Sequence, residues 1–399
     1  MGPEETMPET PINVIEMLPR IRAASDEMRE ILVANIVMIG EIPAPTGAEE
    51  SRARFFSQRL NEGGLLHCFT DPMSNAFGLL PGTDGRRTIA VVTNGDTLVY
   101  ETTDQTVEVR TDMLVGPFVV DNSLALGALA ALPELFDKLQ IRLRSNLLLL
   151  MASRCQGRGN LDGLKHFLSE ARVKPDAGIC FEGVQLGRLN YSCLGMRRGE
   201  ITCRLPDNYN WAQYGNTGAI VPMSDVISRI GRIAIPRRPL TSMILGSIEG
   251  GVSYHNIARQ AVLRFELRSE SAEILAQIEE QLEDITEEVS STFGIQAKLD
   301  IFAKREPGGL EIGHPFVRDA RAILAAMNIQ PMLYPTTSFM NALVAEGIPS
   351  ITLGFTTGER RHDLDEIDET AAIGPMTAGL AQLVAAIISM DQELSNEAD

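Results

Sequence analysis

Basic charge is scarce in this chain: 35 Lys and Arg stand against 53 Asp and Glu, a formal net charge of −18. Such a surface repels phosphate, so neither nucleic acid nor an anionic membrane is an expected partner. No uninterrupted apolar run reaches the roughly 18 residues that a membrane span needs. Residues 1–11 are acidic and proline-rich, not basic and then apolar, so no export signal is expected and the protein is placed in the cytoplasm. Cysteine is limited to Cys68, Cys155, Cys180, Cys193 and Cys203, an odd number without CxxC spacing. That pattern fits reduced thiols better than a disulfide framework. Histidine numbers only five, and no internal repeat or low-complexity tract occurs. What is present in quantity is apolar material, 44% of 399 residues, enough for a large core and for two domains.

Apolar positions at helical spacing run over residues 12–37, a Pro-Ala-Pro-Thr-Gly break follows at 43–47, and a second helix is expected over 49–60. Strands are expected at 76–80, 88–92, 145–151 and 177–181, alternating with helices at 124–139 and 161–171. That alternation implies an α/β fold with a mainly parallel sheet sandwiched by helices. Beyond residue 191 the pattern changes to β-rich segments at 199–205 and 261–267, with helices at 224–233 and 272–293. The α/β pattern returns with a helix at 316–327, a strand at 350–353 and a closing helix at 376–390. The expected organisation is one α/β domain made of residues 1–190 and 308–399, interrupted by an inserted α+β domain, 191–307.

The most informative stretch is the buried strand ending at Met151, which runs through Ser153-Arg154-Cys155-Gln156-Gly157-Arg158-Gly159 into a helix. In open α/β sheets such a turn, at the carboxyl end of a strand, carries the chemistry. Other segments deliver polar groups that can converge with it: Asn94-Gly95-Asp96-Thr97, Asp121-Asn122, Glu182, and a late run holding His362.

Taken together, these segments resemble the zinc-dependent exopeptidases that include acetylornithine deacetylase, succinyl-diaminopimelate desuccinylase, aminoacylase, glutamate carboxypeptidase and peptidase T. The likeness extends over nearly the whole chain, from Ile42-Pro43-Ala44, Gly47 and Glu49 through Asn75 and Gly347-Ile348-Pro349 to His362. It implies a catalytic-type domain, an inserted lid that mediates homodimers, and a pair of zinc ions. Asp121 matches the carboxylate that bridges the ions, and Glu182 and His362 match further ligands. Asp96 matches the aspartate that orients a ligand histidine, but position 94 holds Asn94 in place of that histidine. Cys155 and Gln156 stand where the family has two glutamates, a general base and a metal ligand. Tyr209 falls near the place of a histidine that polarises the substrate carbonyl, and Phe339 replaces an acidic residue. Asn256 and Arg268 match positions that contact substrate carboxylate or shape the insertion.

The chemistry of the substitutions can be argued independently. Two divalent ions need anionic ligands, and their bridging water needs a base. Amide oxygens such as those of Asn94 and Gln156 are weak, hard donors that suit zinc poorly. Loss of the base alone costs about 10²–10⁴-fold in rate. The leading expectation is therefore a metallopeptidase-like homologue with a degraded site, holding zero or one zinc ion and binding a small amino-acid-like or peptide-like ligand. The alternatives are an active one-metal amidohydrolase, a Cys155-dependent hydrolase with the thiol activated by His362, and a structural or regulatory partner of an active paralogue. Cys155 also reads as an inert buried thiol or as a soft zinc ligand beside Asp121 and His362. Plainer readings stand beside these: a helix cap for Asp121, a solvated strand end for Glu182 and a structural role for His362.

Overall fold

The computed structural model describes residues 13–98, 100–170, 174–207, 218–359 and 368–396. The chain forms two compact units. The first comprises residues up to Tyr191 together with Gly309–Tyr334 and the chain from Ala342 onward, and the second is Ser192–Gly308 with Pro335–Asn341.

Among the described residues, the first unit is built on a seven-stranded sheet in the order Leu66–Thr70, Ala76–Leu80, Asn146–Ala152, Thr88–Asn94, Ala177–Val184, Ser350–Thr356 and Leu189–Asn190. The four central neighbours are parallel, and the outer pairs are antiparallel. Every residue of Thr88–Asn94, Ala177–Val184 and Ser350–Thr356 is buried. Such runs lack polar alternation because helices cover both faces of a parallel sheet. Helix Met376–Asn396 is buried along most of its length, and helix Leu124–Lys138 exposes only Glu134, Asp137 and Lys138. The helical stretch Val119–Lys138 is long and apolar enough to cross a bilayer by length and composition, yet 89% of its apolar window is buried within the fold, as befits a core helix.

One expected helix is in fact two. Val14–Glu27 and Arg29–Gly40 are separated at Met28. Met28 is itself buried, so apolar spacing runs through the break without marking it. A small antiparallel sheet that the sequence did not suggest pairs Met113–Pro117 with Asp368–Ala372, flanked by Glu108–Val109 and Gly358–Glu359. These strands are short and half-exposed, which leaves little pattern to read.

The second unit is a four-stranded antiparallel sheet, ordered Thr241–Gly250, Gln260–Ser269, Gly195–Arg204 and Gln296–Arg305, with helices Ile220–Ile230 and Ala272–Phe293 packed on it. Helix Ala272–Phe293 is capped by Ser271, whose hydroxyl accepts from the Ile274 N–H. It buries Leu275, Ile278, Leu282 and Val289 at i, i+3, i+4 spacing and leaves Glu280, Glu283 and Asp284 outside.

Candidate functional site

The register of the parallel sheet assembles the site. Asn94 pairs with Ala152, so the segments following these two strands leave the sheet side by side, joined by the Gly95 N–H on the Ala152 carbonyl at 2.8 Å. On the other flank Val92 pairs with Cys180, which sets Glu182 two residues further on, level with Asn94. Asp121 comes from the irregular turn Val119–Ser123 between strand Met113–Pro117 and helix Leu124–Lys138. Gly183 admits that turn: a Cβ there would lie 2.1 Å from the Val120 carbonyl oxygen.

Asp96 is the hub. Its Oδ2 accepts from the Cys155 N–H at 2.9 Å, the Gln156 N–H at 2.7 Å and the Thr46 hydroxyl at 2.8 Å. Its Oδ1 is buried without a hydrogen-bond partner. Burial pushes the Asp96 carboxyl up to about 7, the hydrogen bonds from Gln156 and Thr46 oppose that rise, and the Glu49 carboxylate adds to it. Glu49, also buried, accepts from the Gly47 and Arg154 N–H groups at 2.9 Å each. Beneath them the buried Arg52 guanidinium donates to the carbonyls of Ile42, Gly40 and Gly95. Burial pulls Arg52 down to about 10, and Asp96 partly restores it.

The candidate ligand atoms are already engaged. Gln156 Nε2 donates to Asp121 Oδ2 at 2.9 Å. Asn94 Nδ2 donates to the Asp96 carbonyl, and Asn94 Oδ1 accepts from Asn122 Nδ2, both at 3.2 Å. Asn122 Nδ2 also lies 2.6 Å from Thr93 Oγ1. Glu182 Oε2 accepts from Arg188 Nη1 at 2.5 Å, with both side chains only 10% exposed. The Cys155 thiol lies 3.4 Å from the Ser153 carbonyl, placed as an S–H donor. Among the described residues, no three His, Cys, Asp or Glu side chains are grouped to hold a metal ion.

Asn94, Asp96, Asp121, Cys155 and Gln156 are thus brought together in one hydrogen-bonded network, and Glu182 is bound instead to Arg188. Tyr209 and His362 lie outside the described residues. Asn256 and Arg268 belong to the second unit. Asn256 is exposed in the segment before strand Gln260–Ser269, and Arg268 pairs with Glu266. Burial would raise Glu266, but Arg198 and Arg268 together hold it below its ordinary value. Sequence reasoning missed Arg188 and the roles of Arg52 and Asn122. For Arg188 a signal existed: a cation six residues beyond a buried strand carboxylate, across a turn containing Gly187.

By sequence, no protein-family model and no curated protein matches the chain. By structure it is similar to M20-family metallopeptidases and has their fold. Aminopeptidase PepT from Bacillus cereus superposes with a TM-score of 0.70 at 17% identity, over 90% of this chain and 98% of that one. The di-peptidase Dug1p from Saccharomyces cerevisiae gives 0.74 at 13% identity, over 94% and 98%. The Bacillus subtilis YXEP protein, a dinuclear metal binding peptidase from the M20 family, gives 0.63 at 14%, over 92% and 98%.

Proposed function

We propose that this chain is a metallopeptidase-fold homologue whose cleft has given up dinuclear zinc hydrolysis and binds a small amino-acid-like or peptide-like ligand, with little or no turnover. The hydrogen bond from Gln156 to Asp121 carries the reading. A carboxylate only accepts, so the amide must turn its N–H₂ toward Asp121, and an amide nitrogen is no metal ligand. Asn94 has likewise committed both polar atoms to neighbours.

Among the described residues, the donor set does not fit a pair of zinc ions. It offers Asp121 tied to an amide and Glu182 tied to a guanidinium, with neutral amides at two further positions. Position 155 holds a thiol that points at a carbonyl, so no carboxylate is available there to take a proton from water. Metal analysis of protein purified without chelator or added zinc, paired with thermal-shift screening of amino acids and dipeptides, tests the reading. No more than one zinc per chain and a ligand-dependent rise in Tm support it. Two zinc equivalents with turnover of a dipeptide overturn it.

We further infer that a second copy pairs on the open edge strand Thr241–Gly250. Among the described residues this ten-residue strand is an unpaired sheet edge, and it exposes Ile244, Leu245 and Ile248, which invites association. An antiparallel pairing about a two-fold axis would be self-complementary. Light scattering of the wild type and of Ile248→Lys tests this: the wild type elutes as a dimer and the variant as a monomer, whereas a monomeric wild type rejects it.

A further inference from the structure

Glu182 stands at the end of strand Ala177–Val184, and a carboxylate so deeply buried requires a positive partner. That partner is supplied locally. The chain turns through residues 185–188, with Gly187 at φ +95° and a Cβ there only 2.7 Å from the Gln330 carbonyl oxygen. The turn is closed by the Arg188 N–H on the Gln185 carbonyl at 2.9 Å and tied to the neighbouring segment by the Met332 N–H on the Gly187 carbonyl at 2.8 Å. From this fixed backbone the guanidinium reaches back to Glu182 and lies 5.9 Å from the centre of the Tyr334 ring. Tyr334 is itself pinned: its hydroxyl donates to Gln185 Oε1 at 2.6 Å, and its carbonyl accepts from Asn190 Nδ2. The carboxylate is thus met by a cation held from its backbone, at its tip and across its face.

We propose that Arg188 is the resident cation of this cleft, supplying at Glu182 the positive charge that a divalent ion would otherwise bring and barring such an ion from it. A guanidinium does not deprotonate in the physiological range, so its charge is permanent. A divalent ion at Glu182 would face a like charge about 4 Å away, which weakens its binding by roughly 10²–10³-fold or more. The inference rests on the reading that the cleft takes no zinc pair, and extends it by naming the side chain that makes the fold independent of metal.

The test combines thermal unfolding with metal titration on the full chain. Arg188→Met removes the guanidinium that Glu182 accepts from in its buried position, and its Tm falls by roughly 5–10 °C. The double variant Glu182→Gln/Arg188→Met recovers at least half of that loss. In calorimetric titration Arg188→Met binds Zn²⁺ or Mn²⁺ about 100-fold more tightly than the wild type, and either ion restores part of its Tm. If Arg188→Met does not fold, recovery of folding in the double variant supports the proposal; failure of both overturns it. Equal metal affinity in Arg188→Met and wild type also overturns it, while a wild type carrying two zinc ions sinks the functional reading instead.

Discussion

The side-chain amide of Gln156 donates to the carboxylate of Asp121 at 2.9 Å. It satisfies that anion with a neutral group. Restoring the charge tests what that contact does. Gln156→Glu sets a second carboxylate against Asp121, and the chain loses about 1–3 kcal/mol in metal-free buffer. Added Zn²⁺ recovers that loss in the variant and leaves the wild type unchanged. Denaturant titration with and without zinc reads both outcomes.

Arg52 is fully buried and spends its N–H groups on three backbone carbonyls, those of Gly40, Ile42 and Gly95. The Asp96 carboxylate also supports its charge. Arg52→Met removes these bonds at once and costs about 3–5 kcal/mol. Because the loss lies in the scaffold, no metal restores it. Chemical denaturation of the variant, with zinc and with chelator, measures this.

Cys155 contributes its backbone N–H to Asp96, while its thiol sits against the Ser153 carbonyl. Replacing the side chain keeps the first contact and gives up those of the thiol, including its approach to the Ser153 and Ala152 carbonyls. Cys155→Ala should therefore retain ligand-induced thermal shifts and any residual hydrolysis at wild-type levels. Abolition of hydrolysis in this variant would establish a thiol mechanism.

Burial in the second unit pushes the Cys203 thiol up to about 11, well above the ordinary value of a free thiol. The folded state therefore keeps a proton that the unfolded chain releases at lower pH. The associated stability is complete below about pH 9 and is lost as pH rises through 11. Cys203→Ala should lessen the decline in stability between pH 9 and 11, read as the difference between wild-type and variant unfolding curves across that window.

Much of the first unit was legible because a parallel sheet writes itself into sequence as unbroken apolar strands such as Leu147-Leu148-Leu149-Leu150. Helix-sized runs between those strands complete the pattern. The strand Thr241–Gly250 escaped because it is an edge: with Gly246 and Ser247 in its middle and most residues exposed, it carries neither alternation nor an apolar run. Gln296–Arg305 does alternate, with Ala297, Leu299, Ile301 and Ala303 more buried than Gln296, Lys298 and Asp300, and period-two counting would have found it.

The site was legible in part. The resemblance singled out Asn94, Asp96, Asp121, Cys155 and Gln156, which the sheet register gathers into one network. It could not reveal what each atom does there. Donor and acceptor orientation depends on three-dimensional neighbours, and Arg188 matters only once the turn after Val184 folds its guanidinium back onto Glu182.

Thermal unfolding of the wild-type chain after exhaustive chelation, repeated with a molar excess of zinc and accompanied by elemental analysis of untreated protein, addresses the central claim most directly. The account predicts coincident melting curves and no more than one zinc per chain. Two bound zinc ions, together with a Tm that falls on chelation and returns on reloading, would contradict it.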